Sequence, residues 1–104
     1  MLPAERRRAT RFRVTWPVRI RGLDNAGVRF EEYGELGNLS SGGALARIDR
    51  ALQAGWQAEV YIRVPFGKAT WMIYKATISR VENGTGPAAL GIRFSTSRPQ
   101  FLIE

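Results

Sequence analysis

Residues 12–20 alternate without a break: Phe12, Val14, Trp16, Val18 and Ile20 share one face, while Arg13, Thr15, Pro17 and Arg19 share the other. A period of two over that length predicts a half-buried β-strand. Pro17 has no N–H to give to a ladder, which places it at an edge or a bulge. Residues 22–27 (GLDNAG) carry turn chemistry. A second strand is expected over about 28–36, interrupted near Glu31 and Glu32. Residues 37–43 read as a polar turn, 44–48 as a short strand and 49–56 as a connection. Ala58, Val60, Ile62 and Val64 then alternate with Glu59, Tyr61 and Arg63, and Pro65 to Lys68 supply a hairpin turn. Residues 70–81, rich in β-branched and aromatic side chains, predict a long strand. After a loop at 83–87, Leu90, Ile92 and Phe94 alternate with Gly91, Arg93 and Ser95 in a last strand. Residues 97–104 are too few for an independent helix and are expected to form a docked turn or a short helix, or to fray.

About six short strands with no strong helical segment predict an all-β fold. The expected solution is a six-stranded antiparallel barrel of Greek-key or split form, because closure removes exposed sheet edges. The 104 residues suit a single domain. Its expected parts are a flexible arginine-rich arm at 1–11, the barrel at 12–96 and a tail at 97–104.

Composition narrows the chemistry. There is no cysteine and no histidine, which removes disulfides, thiolate metal sites and the commonest general base. The nine acidic residues are scattered, and no nucleophile–base pair or metal-ligand cluster assembles from the sequence, so an enzyme is not expected. The net charge of +7 implies an anionic partner. Fourteen of the sixteen basic residues are arginine, and seven of those lie between Arg6 and Arg21. Arginine offers phosphates and guanine edges a planar two-pronged donor, where lysine offers a point charge. No apolar run reaches the ~18–20 residues of a membrane span, and the N-terminal stretch has no apolar signal-peptide core. A cytoplasmic location without membrane insertion is expected.

Two short elements concentrate the candidate chemistry. Arg7-Arg8-Ala9-Thr10-Arg11 forms R-x-x-x-R just before the first strand. Asn38-Leu39-Ser40-Ser41-Gly42-Gly43 forms N-x-S-x-x-G in the turn before the third, 27 residues after Arg11. Arginines four apart in an extended segment lie roughly 13 Å apart at ~3.3 Å per residue, enough to grip two sides of one small anion. Asn38 and Ser40 carry short hydrogen-bonding side chains, and Gly42 and Gly43 are expected to permit positive φ and close approach of a flat base.

In this order and setting the two elements resemble the PilZ family, whose paired signature is R-x-x-x-R followed by [D/N]-x-S-x-x-G. The resemblance spans nearly the whole chain, including Gly91-Ile92-Arg93-Phe94, which is similar to the family's terminal strand. It implies a receptor for the bacterial messenger cyclic di-GMP, with no further cofactor, and a site built from Arg6, Arg7, Arg11, Asn38, Ser40, Gly43 and Arg80. In similar domains a basic residue at the place of Arg6 accompanies two intercalated ligands rather than one. Arg80 stands roughly where relatives carry a residue that stacks on guanine. The resemblance further implies an N-terminal arm that changes conformation on binding and signals to an unidentified protein partner. Two alternatives stay open: a non-specific nucleic-acid-binding barrel, for which the aromatics form no paired stacking motif, and a PilZ-like adaptor that binds protein and no nucleotide.

Overall fold

A computed structural model describes residues 12–49, 52–66, 68–83, 86–96 and 98–103. The expected arm at 1–11, with Arg6, Arg7 and Arg11, lies outside these described residues. The described residues form eight strands: β1 (Phe12–Arg13), β2 (Pro17–Leu23), β3 (Arg29–Leu39), β4 (Gly43–Ile48), β5 (Gln57–Val64), β6 (Thr70–Glu82), β7 (Ala88–Phe94) and β8 (Gln100–Ile103). Six of them run β3-β2-β5-β6-β7-β4, and a further β3–β4 pairing closes the circuit. Every pairing is antiparallel. The expected six-stranded barrel is therefore present, with β1 added on β3 and β8 on β6. No helix of the described residues is long and apolar enough to cross a membrane.

The alternating apolar positions point inward and fill the barrel. Val18 and Ile20 from β2, Leu36 from β3, Ile48 from β4, Val60 and Ile62 from β5, Ile78 from β6 and Leu90 from β7 are almost completely buried. No charged or polar residue joins them among the described residues, as expected where no partner is built for one. Tyr74 and Phe94 stack flat at 3.7 Å between centroids, and Phe30 packs on Trp56 at 5.2 Å.

Three expectations are corrected. The first strand is not continuous: regular pairing lapses over residues 14–16, which keep the bonds Val14 N–H to the Gly37 carbonyl (3.2 Å) and Leu36 N–H to the Trp16 carbonyl (2.8 Å), and β2 begins at Pro17. Proline without an N–H fits the first position of a strand. The second strand is not interrupted at Glu31 and Glu32. Their register partners Arg21 and Ile20 continue the ladder, which runs on to Leu39. Residues 97–104, expected as a turn or helix, contain β8. Phe94 ends β7 opposite Ala76, and β8 then takes up the same side of β6 opposite Thr70 to Ile73. The exposed β6 edge that β7 leaves behind supplies the hydrogen bonds that a short isolated helix would lack.

Candidate functional site

Two bulges decide which polar side chains leave the core. In strict alternation Asn38 shares the inward face of buried Leu36, and Arg80 shares that of buried Ile78. Between Leu36 and Asn38 the β3–β4 register slips by one residue, so that Leu36 faces Ala46 but Asn38 faces Leu45. Between Ile78 and Arg80 the β6–β7 register slips the same way, with Ile78 opposite Ile92 but Arg80 opposite Gly91. A bulge places two residues against one and re-aims the side chains that follow. Leu39 and Val81 now pack against the core, and Asn38 and Arg80 turn outward.

Both bulges serve one surface. Asn38 pairs with Leu45, Leu45 with Gly91, and Gly91 with Arg80, a straight row across β3, β4, β7 and β6. At ~4.8 Å per strand the row spans about 14 Å. It floors a cleft of about 610 Å³ that also takes in Ser40, Gly42, Gly43, Ser79 and Arg93. Gly91 keeps the floor low, since a β-carbon there would lie 3.1 Å from the Ser79 Oγ and 3.3 Å from the Arg80 Cβ. Arg93 stands opposite Gly43 and supplies a second cation. The Asn38 amide lines the cleft and makes no hydrogen bond among the described residues. Arg80 is well exposed, with its Nε 3.5 Å from a Glu82 carboxylate oxygen.

The turn beside the cleft is held by Ser40. Its N–H donates to the Gly43 carbonyl (2.9 Å) and its Oγ–H to the same oxygen (3.2 Å), while its Oγ accepts from the Gly42 N–H (3.3 Å). Ser40 therefore shapes the turn, and its hydroxyl proton is already engaged. The Gly42 carbonyl accepts from the Phe94 N–H at 2.9 Å, which ties the turn to β7. The expected positive φ at Gly42 and Gly43 is not found; among the described residues it occurs at Gly27 and Gly55. Gly43 is required for a different reason: a β-carbon on it would run into the Ile92 carbonyl oxygen.

Of the sequence-predicted residues, Asn38, Ser40, Gly43 and Arg80 thus converge on one cleft. Arg6, Arg7 and Arg11 lie outside the described residues, but the strand that follows them is placed. Phe12 pairs with Leu39 and Arg13 with Asn38, so the chain enters the barrel beside the polar turn. A neighbouring hollow of about 450 Å³ is lined by Arg13, Glu35, Asn38, Leu45 and Arg47 among others. Arg93 and Arg13 were not singled out as site residues from sequence. The alternation places Arg93 on the outer face, but its proximity to Gly43 is a matter of β4–β7 register. A larger groove of about 670 Å³ lies elsewhere, between Arg21, Arg29, Glu31, Glu59 and Lys75. It holds none of the predicted site residues, and its carboxylates face its cations, which weakens any net attraction for an anion.

The molecule is a small β-barrel whose polar, arginine-bearing cleft lies on the outer wall, while the barrel interior is filled by apolar side chains. Residues 5–101 match the PilZ domain family model, and the chain belongs to the PilZ domain family. Its fold is similar to that of the inhibitor of motility MotI/DgrA from Bacillus subtilis (TM-score 0.69, 19% identity, covering 86% of this chain and 42% of that one). It is also similar to the PilZ domain of YcgR from Escherichia coli, solved with c-di-GMP (TM-score 0.61, 19% identity, 86% and 78% covered). A third likeness is to YcgR from Escherichia coli in complex with c-di-GMP (TM-score 0.60, 22% identity, 86% and 38% covered). The chain thus spans less than half of the MotI/DgrA chain and of the chain in the YcgR complex. No curated protein matches it.

Proposed function

We propose that the chain is a receptor module for cyclic di-GMP, without catalytic activity, acting in the cytoplasm. The observation that carries this reading is the convergence of Asn38, Arg80 and Arg93 on one external cleft, beside the point where the arginine-rich segment enters the barrel. Membership of the PilZ family supports it, as do the c-di-GMP complexes of the YcgR structures. In this reading Arg7 and Arg11 close over the ligand from the N-terminal side and pair with phosphate oxygens or the guanine O6/N7 edge. Asn38 hydrogen-bonds to a guanine edge, Arg80 stacks on a base, and Ser40 and Gly43 hold the turn that shapes the cleft. Closure of the N-terminal segment is the signal that a protein partner reads. Arg6 adds a cation for a second, intercalated ligand, which brings the phosphate charge to about four.

Calorimetric titration of cyclic di-GMP tests the proposal, with GMP and single-stranded DNA as controls. Saturable binding that GMP does not mimic, and that Arg7→Ala/Arg11→Ala abolishes, is the expected result. No binding, or binding shared equally with DNA and lost with rising salt, would overturn it. Two ligands per chain falling to one in Arg6→Ala is the expected stoichiometry; one per chain at saturation removes the role given to Arg6.

A further inference from the structure

Strand β8 pairs along one side with β6, and its other edge meets no strand among the described residues. A free edge presents a row of unpaired N–H and C=O groups, which proteins ordinarily guard with a charge, a proline or a bulge. None of these occurs within Gln100–Ile103. All four residues are exposed, Phe101, Leu102 and Ile103 by 63%, 45% and 63%. Among the other large exposed apolar residues described, Leu23 and Val28 flank one turn, but no three are consecutive as in β8. An apolar edge of this kind is a template for another strand.

We propose that two copies of this chain associate by antiparallel pairing of β8 with β8 about a two-fold axis at Leu102. Such an axis, perpendicular to the sheet, preserves the faces: Leu102 meets Leu102 of the second copy, and Phe101 meets Ile103. The pairs formed by residues 101–103 are all apolar. The net charge of +7 opposes self-association in general, whereas none of Gln100–Ile103 is charged. The outer face supports the same register. Arg63 pairs with Trp71 and Trp71 with Leu102, and the Arg63 guanidinium lies 5.5 Å from the Trp71 ring centroid. Across the seam this row continues as Leu102, Trp71 and Arg63 of the second copy. The two Arg63 residues are then about 24 Å apart at ~4.8 Å per strand, beyond the range at which salt leaves them repelling.

A seam of one four-residue strand from each copy covers less than the ~1,200 Å² of a standard stable interface. The association is accordingly weak and driven by concentration. Sedimentation equilibrium on the whole chain, from about 10 µM to about 1 mM, is expected to show the mass rising from 11.7 kDa towards twice that value. Leu102→Lys, which sets two ammonium groups face to face, is expected to hold the mass at that of the monomer. The chain has no cysteine, so a single introduced thiol reports on the register. Cα atoms directly opposite in an antiparallel pair lie about 4.5–5.5 Å apart, within disulfide reach. Mild oxidation is expected to cross-link Leu102→Cys at least about tenfold faster than Leu23→Cys, which is exposed at the end of β2. A monomeric mass throughout, association unchanged by Leu102→Lys in a variant that circular dichroism shows to be folded, or equal cross-linking at both positions would each overturn the proposal.

Discussion

Gly42 and Gly43 are adjacent in one turn, yet alanine meets opposite fates at the two positions. At Gly43 the new methyl group would collide with the Ile92 carbonyl oxygen and lie 3.3 Å from the Ile92 carbonyl carbon and 3.5 Å from the Arg93 Cα. These are backbone atoms of β7 and cannot rotate aside, so the β4–β7 ladder must part at its end. Overpacking of this kind costs about 1–3 kcal/mol. For a domain of this length each kcal/mol moves Tm by about 4–8 °C, so Gly43→Ala is expected to lower Tm by roughly 5–20 °C. At Gly42 nothing lies within 4 Å of the built β-carbon, and its φ is not in the left-handed region. Alanine there narrows the unfolded ensemble without native strain, a gain of about 0.4–1 kcal/mol, so Gly42→Ala is expected to raise Tm by a few degrees. Thermal and urea unfolding followed by tryptophan fluorescence measure both. Equal shifts for the two variants, or a neutral Gly43→Ala, would refute the claim that close approach of β4 and β7 is what demands glycine.

Three further outcomes are expected. Arg80→Ala should weaken cyclic di-GMP binding by about 10–100-fold, the loss of one charged hydrogen bond or stacking contact of about 1.5–3 kcal/mol. Its stability should barely change, since the exposed ion pair with Glu82 is of a kind that contributes at most about 1 kcal/mol; calorimetry beside a melting curve separates the two effects, and unchanged affinity would remove Arg80 from the site. Burial pushes the Tyr74 phenol above its ordinary value of 10.0. Above about pH 10 the unfolded chain loses that proton while the fold retains it, so the contribution of Tyr74 is complete below the unfolded pKa and lost as pH rises through the folded one. Tyr74→Phe should therefore flatten the alkaline loss of stability in urea titrations between about pH 8 and 11, and identical pH profiles would refute this. On the outer wall the Arg19 guanidinium lies 4.5 Å from the Tyr61 ring centroid and 5.3 Å from that of Trp71, with its Nε 3.4 Å from a Glu31 carboxylate oxygen. Arg19→Ala should cost about 1–2 kcal/mol and Arg19→Lys should recover only part of it, because an ammonium lacks the planar face; two variants as stable as the original would show the stack to be inert.

Alternation along the chain was enough to find the barrel, because each wall strand buries one face and exposes the other, and Val18, Ile20, Val60 and Ile62 are buried together only when the strands pair without a one-residue slip. The ends of the strands were less legible. Whether residues 100–103 form a strand depends on an unpaired stretch of β6 that lies far away in sequence, a fact no local window contains. The break at 14–16 was invisible for the opposite reason: its apolar spacing is perfect, and Val14 and Trp16 do pack against the core, but the ladder lapses there. The site was half legible. Asn38, Ser40 and Gly43 announce themselves as a short polar motif, and the structure keeps them together while giving Ser40 and Gly43 structural duties in the turn. Arg80 carries no such local mark and was reached only through the resemblance. By parity it belongs inside the barrel, where an unpaired guanidinium is not tolerated. That conflict is itself the signal: a charged residue in an inward position of a long, otherwise regular strand requires a bulge nearby. The same reasoning applies to Asn38, two residues after fully buried Leu36. Two polar residues out of phase with their strands, on strands that turn out to flank β4 and β7, mark the face where the barrel gives up regular pairing to present a site.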